Sequence, residues 1–158
     1  MSDFTTPLQA GAQAPDFTLA STSGEQVTLS AFRGRSPVLL AFFPLAFTGV
    51  CTREMCAFSD DYDVFAQAGV TVLPLSVDAT PSLKEFKAKH QMRVDLLSDI
   101  KREATRAYGV LRPESYTSQR AYFLIGTDGL IRWAHVEEHP GLRRENHEIL
   151  EAVKAALA

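Results

Sequence analysis

The stretch FFPLAFTGVCTREMC, Phe42 to Cys56, decides how the chain is read. It continues the run Val38-Leu39-Leu40-Ala41-Phe42-Phe43, whose unbroken apolarity predicts a strand covered on both faces. The run stops at Pro44, passes a small-residue turn at Thr48-Gly49 and enters a segment with helical periodicity. The chain has two cysteines, Cys51 and Cys56, and both lie just past that turn. Backbone N–H groups in a first helical turn have no acceptor within the helix, and the helix dipole is positive there. A thiol attacks only as thiolate, so a sulfur at Cys51 sits where its anionic form is favoured. The plain alternative is two buried, inert thiols, with Thr48 as an ordinary N-cap.

Outward from this junction, Phe17-Thr18-Leu19 and Val27-Thr28-Leu29 flank Ser23-Gly24 and predict a short hairpin, preceded by a loose arm over residues 1–15. Residues 29–34 read as a connector. Val50 to Ala68 reads as one long helix with the apolar Met55, Phe58, Tyr62 and Phe65 recurring at three- and four-residue steps, the carboxylates of Asp60, Asp61 and Asp63 in solvent, and Gly69 as C-cap. Val70 to Val77 is a second central strand. Pro81 to about Gln91 is a helix with Leu83 and Phe86 inward, and Leu96 to Asp99 is a short strand leading to a helix near Arg102–Tyr108. Ala121–Ile125 and Leu130–Val136 enclose Thr127-Asp128-Gly129, a hairpin signal, and Arg144–Leu157 reads as an amphipathic helix with Ile149, Leu150, Val153 and Leu157 on its apolar side. This order predicts an α/β chain with a mixed central sheet, helices on both faces and an N-terminal hairpin, which a thioredoxin-like fold satisfies.

The 158 residues are read as one domain, long enough for a core without disulfide staples or structural metal. A net charge of −3 without a basic block argues against nucleic acid or an anionic membrane as partner. No apolar run reaches the roughly 20 residues of a membrane helix, and the N-terminus lacks the pattern of a secretory signal. A cytoplasmic location follows as the expectation, where thiols rest reduced and a disulfide is transient.

Pro44-Leu45-Ala46-Phe47-Thr48-Gly49-Val50-Cys51 matches the P-x-x-x-T-x-x-C signature of peroxiredoxins, and the chain resembles that family over nearly its whole length. Leu96-Leu97-Ser98-Asp99, Ala107-Tyr108-Gly109-Val110 and Arg120-Ala121-Tyr122-Phe123-Leu124-Ile125 follow in family order. The wording Phe-Phe-Pro-Leu-Ala-Phe-Thr-Gly is most similar to the alkyl hydroperoxide reductase E branch. Cys-Thr-Arg-Glu-Met-Cys is more similar to the peroxiredoxin Q branch, also called bacterioferritin comigratory protein. The resemblance implies that Cys51 attacks a hydroperoxide and becomes a sulfenic acid, with no cofactor. It implies that Thr48 Oγ, the Cys51 backbone N–H and the Arg120 guanidinium stabilise the breaking O–O bond, a task for fixed donors. Pro44 would shield the sulfur from overoxidation, and Glu54 matches a family acidic position. Two plain readings stay open beside these: Arg120 as a solvated strand end, and Glu54 as a partner in a surface salt bridge.

Cys56 is, by the same resemblance, the resolving cysteine. On a regular helix residues five apart have Cα atoms ~8–9 Å apart and point about 140° apart. A disulfide needs Cα atoms within roughly 7 Å, so the Cys51–Cys56 bond requires the segment from Thr48 to about Phe58 to unwind. The expected reductant is thioredoxin or a similar dithiol, and the expected state a monomer or homodimer. Two alternatives remain: a one-cysteine peroxidase recycled by an external thiol, with Cys56 as a core residue, and a non-enzymatic redox sensor or relay. No metal is expected. His135 and His139 have a ligand-like spacing, but one lies near a strand end and the other precedes Pro140-Gly141. Trp133 fits either the core or a dimer contact.

Overall fold

A computed structural model describes residues 5–139 and 143–157; the first four residues of the predicted arm and the Pro140-Gly141 pair lie outside them. The apolar run forms strand β3 (Val38–Phe42), and all five of its residues are buried. Its side chains alternate across the sheet, as a pleated strand dictates. Leu39, Ala41 and Phe43 enter one core, and Val38, Leu40 and Phe42 enter another. A strand apolar on both sides thus demands cover on both faces, and it receives it.

The first core is covered by α1 (Gly49–Asp60), α2 (Tyr62–Gln67), α3 (Thr80–His90) and α5 (Asn146–Leu157), through Met55, Phe58, Phe65, Leu83, Phe86, Ile149 and Val153. The second is closed by α4 (Glu103–Ala107) with Tyr108, and by the N-terminal hairpin β1 (Thr18–Ser21) and β2 (Gln26–Thr28). The other strands are β4 (Thr71–Ser76), β5 (Leu97–Ser98), β8 (Ala121–Ile125) and β9 (Ile131–Val136), with β6 (Leu111–Arg112) and β7 (Thr117–Ser118) as a separate small ribbon. The main sheet runs β2-β1-β5-β4-β3-β8-β9. Strands β3, β4 and β5 are parallel, while β8 and β9 add antiparallel on one side and β1 and β2 on the other. This is the expected mixed, thioredoxin-like sheet with helices on both faces.

Four readings of the sequence are corrected. The single helix Val50–Ala68 is two helices, broken at Asp61, whose φ and ψ of −95° and 16° leave the helical region. Asp61 is not simply solvated, because its carboxylate accepts a hydrogen bond from Asn146 Nδ2 at 3.0 Å and ties the break to α5. The described part of the arm is not loose. Gly11 N–H donates to Ile131 O, Ala14 N–H to Gly129 O and Leu8 N–H to Tyr108 O, while the Tyr108 hydroxyl donates to Pro15 O. Leu157 is exposed, so the apolar side of α5 is carried by Ile149, Leu150 and Val153. The ribbon β6–β7 has no counterpart in the sequence reading, because its two-residue strands are too short for a periodic signal.

Gly69 caps α2 as expected: its φ is +78°, its N–H donates to Ala66 O, and Val70 N–H donates to Phe65 O. Gly109 closes α4 with the same pair of bonds, to Arg106 O and Thr105 O, at φ +73°. The two differ in surroundings. A Cβ at Gly69 meets nothing within 4 Å, whereas one at Gly109 would lie 1.9 Å from the Thr6 carbonyl oxygen. Gly69→Ala is therefore expected to cost about 1 kcal/mol, from backbone strain alone. Gly109→Ala must also displace the arm, and should lose at least ~2 kcal/mol, or roughly 4–8 °C in Tm. Equal midpoints for the two variants in thermal unfolding would contradict this.

Candidate functional site

The site is assembled at the carboxyl end of β3. Five residues after Phe43 the chain turns into α1, with Thr48 in the N-cap position at φ −91°, ψ 156°, which puts Cys51 on the first helical turn. The intervening loop is held by Ala46 N–H, which donates to Asp78 Oδ2 at 2.9 Å; the Ser76 hydroxyl donates to the same oxygen at 2.6 Å. Phe47 has a left-handed φ of 66°, unusual for a bulky residue. Its half-exposed ring packs at 5.0 Å from Phe86 and lies under the Lys89 ammonium.

The register of β8 supplies the second half. Phe42 faces Ala121 and Ala41 faces Tyr122, so Arg120, one residue before β8, falls at the level where α1 begins. Ser118 reinforces this by donating its hydroxyl to Phe43 O at 3.1 Å. Arg120 and Tyr122 are two apart on extended chain and so share the face on which α1 lies. On α1, Cys51 and Glu54 are three apart and share the facing side.

These two pairs meet. Arg120 Nη2 donates to Cys51 Sγ at 3.0 Å, and Arg120 Nη1 donates to Glu54 Oε1 at 2.7 Å. The Tyr122 hydroxyl donates to Glu54 Oε2 in a short hydrogen bond. All four groups are buried: Cys51 and Arg120 are 1% exposed, Glu54 and Tyr122 0%. Both plain alternatives for the charged residues are thereby removed, since neither a solvated strand end nor a surface salt bridge describes a pair withdrawn from water.

Burial opposes the charge on Arg120, but attraction to Glu54 and Cys51 outweighs it and raises the pKa, so the guanidinium stays a cation. Burial pushes the Glu54 carboxyl up, while Arg120 and the Tyr122 hydroxyl work in the other direction. Tyr122 is raised by burial and by the Glu54 carboxylate, so it remains a protonated donor.

The other predicted site residues are placed differently. Thr48 is exposed, and its hydroxyl neither caps the helix nor reaches the sulfur; it donates to Leu45 O at 2.8 Å. With its proton directed to Leu45 O, the Thr48 hydroxyl presents lone pairs rather than the expected donor in this arrangement. Pro44 is half-buried between the sealed Phe43 and the exposed Leu45. Cys56 lies in the middle of unbroken α1, half-buried against the first core. Both cysteines are free thiols. Burial, with a smaller contribution from the Asp60 carboxylate, pushes the Cys56 thiol above its ordinary range.

Sequence reasoning missed Tyr122, Asp78 and Ser118. Each acts through a contact between elements distant in the chain, which no local pattern announces. Trp133 is half-buried and stacks beside Tyr122 at 6.3 Å. His135 hydrogen-bonds Glu137 Oε1 at 3.0 Å, and among the described residues no cluster of three metal-ligating side chains is present. A groove of about 420 Å³ lies between α2 and β4, lined by Phe65, Val70 and Arg93 among others, at the other end of the sheet from Cys51.

The AhpC/TSA family profile matches residues 10–134, a span that includes Cys51, Glu54 and Arg120. The chain is a peroxiredoxin of the AhpC/TSA family. It is 35% identical over 153 residues to alkyl hydroperoxide reductase E of Mycobacterium tuberculosis, covering 96% of this chain and 99% of that protein. It is 38% identical over 131 residues to peroxiredoxin Bcp of Escherichia coli, covering 79% and 83% of the two chains. Among solved structures, the reduced 2-Cys peroxiredoxin of Plasmodium vivax superposes with a TM-score of 0.88 at 32% identity, over 96% of this chain and 83% of that one. As a peroxiredoxin, this protein is an enzyme with thiol-peroxidase activity. No helix among the described residues is long and apolar enough to cross a membrane.

Proposed function

We propose that this peroxiredoxin reduces hydroperoxides with Cys51 as the attacking sulfur. The observation that carries this reading is the Arg120 Nη2 contact of 3.0 Å to the buried Cys51 Sγ on the first turn of α1. The thiolate attacks the terminal oxygen of ROOH, the O–O bond breaks, and the departing RO⁻ takes a proton to leave as an alcohol, or as water from hydrogen peroxide. Cys51 is left as sulfenic acid. The same guanidinium that pairs with the sulfur can follow the charge as it moves to the oxygens, and first-turn N–H groups add to it. Thr48 Oγ, its proton donated to Leu45, accepts from the peroxide O–H and orients it. Pro44 and the loop behind it limit water and further peroxide around the sulfur.

The geometry favours return of the sulfenic acid to thiol by an external thiol or dithiol, thioredoxin among the donors to be tried. Cys56 is five residues from Cys51 on an intact helix, and its thiol is held protonated by burial. Resolution by Cys56 is the second reading, favoured by its half-exposed place on that helix; it requires α1 to open from its N-terminus, which would also relieve the burial on Cys56. Intact-mass analysis after one equivalent of hydrogen peroxide separates the two. A gain of one oxygen, discharged by added thiol at equal rates in wild type and Cys56→Ser, is expected for the external route. Loss of two hydrogens, with a Cys51–Cys56 linked peptide, would reverse the order. A protein left unmodified would sink both.

A further inference from the structure

Glu54 presents two oxygens to the sheet, and they are divided between two donors: Arg120 Nη1 on Oε1 and the Tyr122 hydroxyl on Oε2. The Tyr122 oxygen in turn lies 3.4 Å from the Arg144 backbone N–H, which donates to it from the segment leading into α5. A carboxylate gripped on one oxygen only can rotate; gripped on both, it is fixed, and so is the guanidinium bridging it to Cys51. We propose that Tyr122 is a positioning residue of the peroxidase reaction, holding Glu54 ionised and oriented so that Arg120 stays aimed at the Cys51 sulfur. Tyr122 touches neither sulfur nor substrate and acts only through Glu54. The inference rests on the reading of Cys51 as the attacking sulfur.

The physical case is one of satisfaction in a dry site. A buried carboxylate without its full set of donors is costly, and hydrogen bonds to charged groups are roughly twice as strong as neutral ones. Removing the phenol hydroxyl leaves Oε2 facing a ring edge. The carboxyl then takes up a proton more readily, since burial already pushes it that way. A protonated Glu54 no longer holds a guanidinium as an ion pair, and Arg120 loses its aim. The charged and titratable groups around Glu54 are Cys51 on its own helix, Arg120 and Tyr122 at β8, and Arg143 before α5. Around Tyr122 they are Arg144, and His135 with its partner Glu137 on and just after β9.

The test measures the second-order rate of Cys51 oxidation by hydrogen peroxide from pH 5 to 8, as loss of free thiol, with Cys56→Ser as the common background. Tyr122→Phe keeps the ring and its packing. It is expected to slow the reaction about tenfold at the acid end of this range, with the gap narrowing as pH rises and Glu54 ionises again. In a Glu54→Gln background, which has no carboxylate to hold, the same substitution should change the rate less than twofold at every pH. Loss that is uniform across pH, equal loss in both backgrounds, or no loss would each overturn the proposal. If Cys51→Ser still consumed peroxide, the reading of the site itself would fail and this inference with it. A wild-type rate in Tyr122→Phe beside an inactive Cys51→Ser would overturn the Tyr122 role alone.

Discussion

A Cys51→Ser protein is expected to consume hydrogen peroxide no faster than the reductant does without protein. A serine hydroxyl in the same place is neither appreciably ionised near neutral pH nor a soft enough nucleophile to displace oxygen from oxygen. The rest of the site would persist, because the Arg120–Glu54 ion pair uses Nη1, a different guanidinium nitrogen from the Nη2 that faces the sulfur. The variant should therefore fold, with an unchanged circular dichroism spectrum, while its peroxidase activity falls by more than about a thousandfold. Cys56 is not placed to substitute: burial holds it as a thiol, and it lies midway along α1 rather than on its first turn. The measurement is peroxide loss with excess dithiol, wild type against Cys51→Ser. Retention of more than a few per cent of the rate would move the chemistry to another residue.

What could be read in advance follows a physical division. Strand β3 was legible because burial on both faces leaves only apolar residues to choose from. The β1–β2 and β8–β9 hairpins were legible because Ser23-Gly24 and Asp128-Gly129 are turn residues between alternating strands. Cys51 at a helix start was legible because strand, breaker and helix are contiguous. The break at Asp61 was not, since the apolar spacing of Met55, Phe58, Tyr62 and Phe65 runs through it, and the bond that ties the break to Asn146 spans 85 residues. Nor was the burial of Glu54 and Arg120. A charged residue on a helix or strand end reads as solvated until the pairing of Phe42 with Ala121 is known, and that register is a tertiary fact. Tyr122 follows the same logic: apolar in the pattern, it counts as core, and only the Glu54 oxygen beside its hydroxyl gives it another role. The direction of the Thr48 hydroxyl was decided by a turn carbonyl three residues back, a competition that sequence leaves open.

Arg120→Met should slow Cys51 oxidation by a hundred- to a thousandfold, the usual effect of deleting one preorganised donor from a site where charge develops. The side chain keeps much of its volume, so the loss is electrostatic rather than a cavity. Stability changes too, with a sign that can be worked out. Removing the cation leaves Glu54 buried beside a single donor, Tyr122. Its folded-state pKa is already raised by burial above the ordinary 4.5, and without Arg120 it rises further. The folded variant then binds a proton that the unfolded chain has released, so stability is full below the ordinary carboxylate range and declines as pH rises towards the folded-state value. Breaking one partner of a buried pair costs about 3–5 kcal/mol when the survivor is charged, or roughly 6–20 °C in Tm for a chain of this size. The expected result is therefore an Arg120→Met protein close to wild-type stability at pH 4.5 and well below it at pH 8. Adding Glu54→Gln should remove most of that pH dependence without restoring the peroxidase rate. A stability deficit that stayed constant from pH 4.5 to 8, or that the second substitution left untouched, would mean that the Glu54 carboxylate is not what Arg120 neutralises.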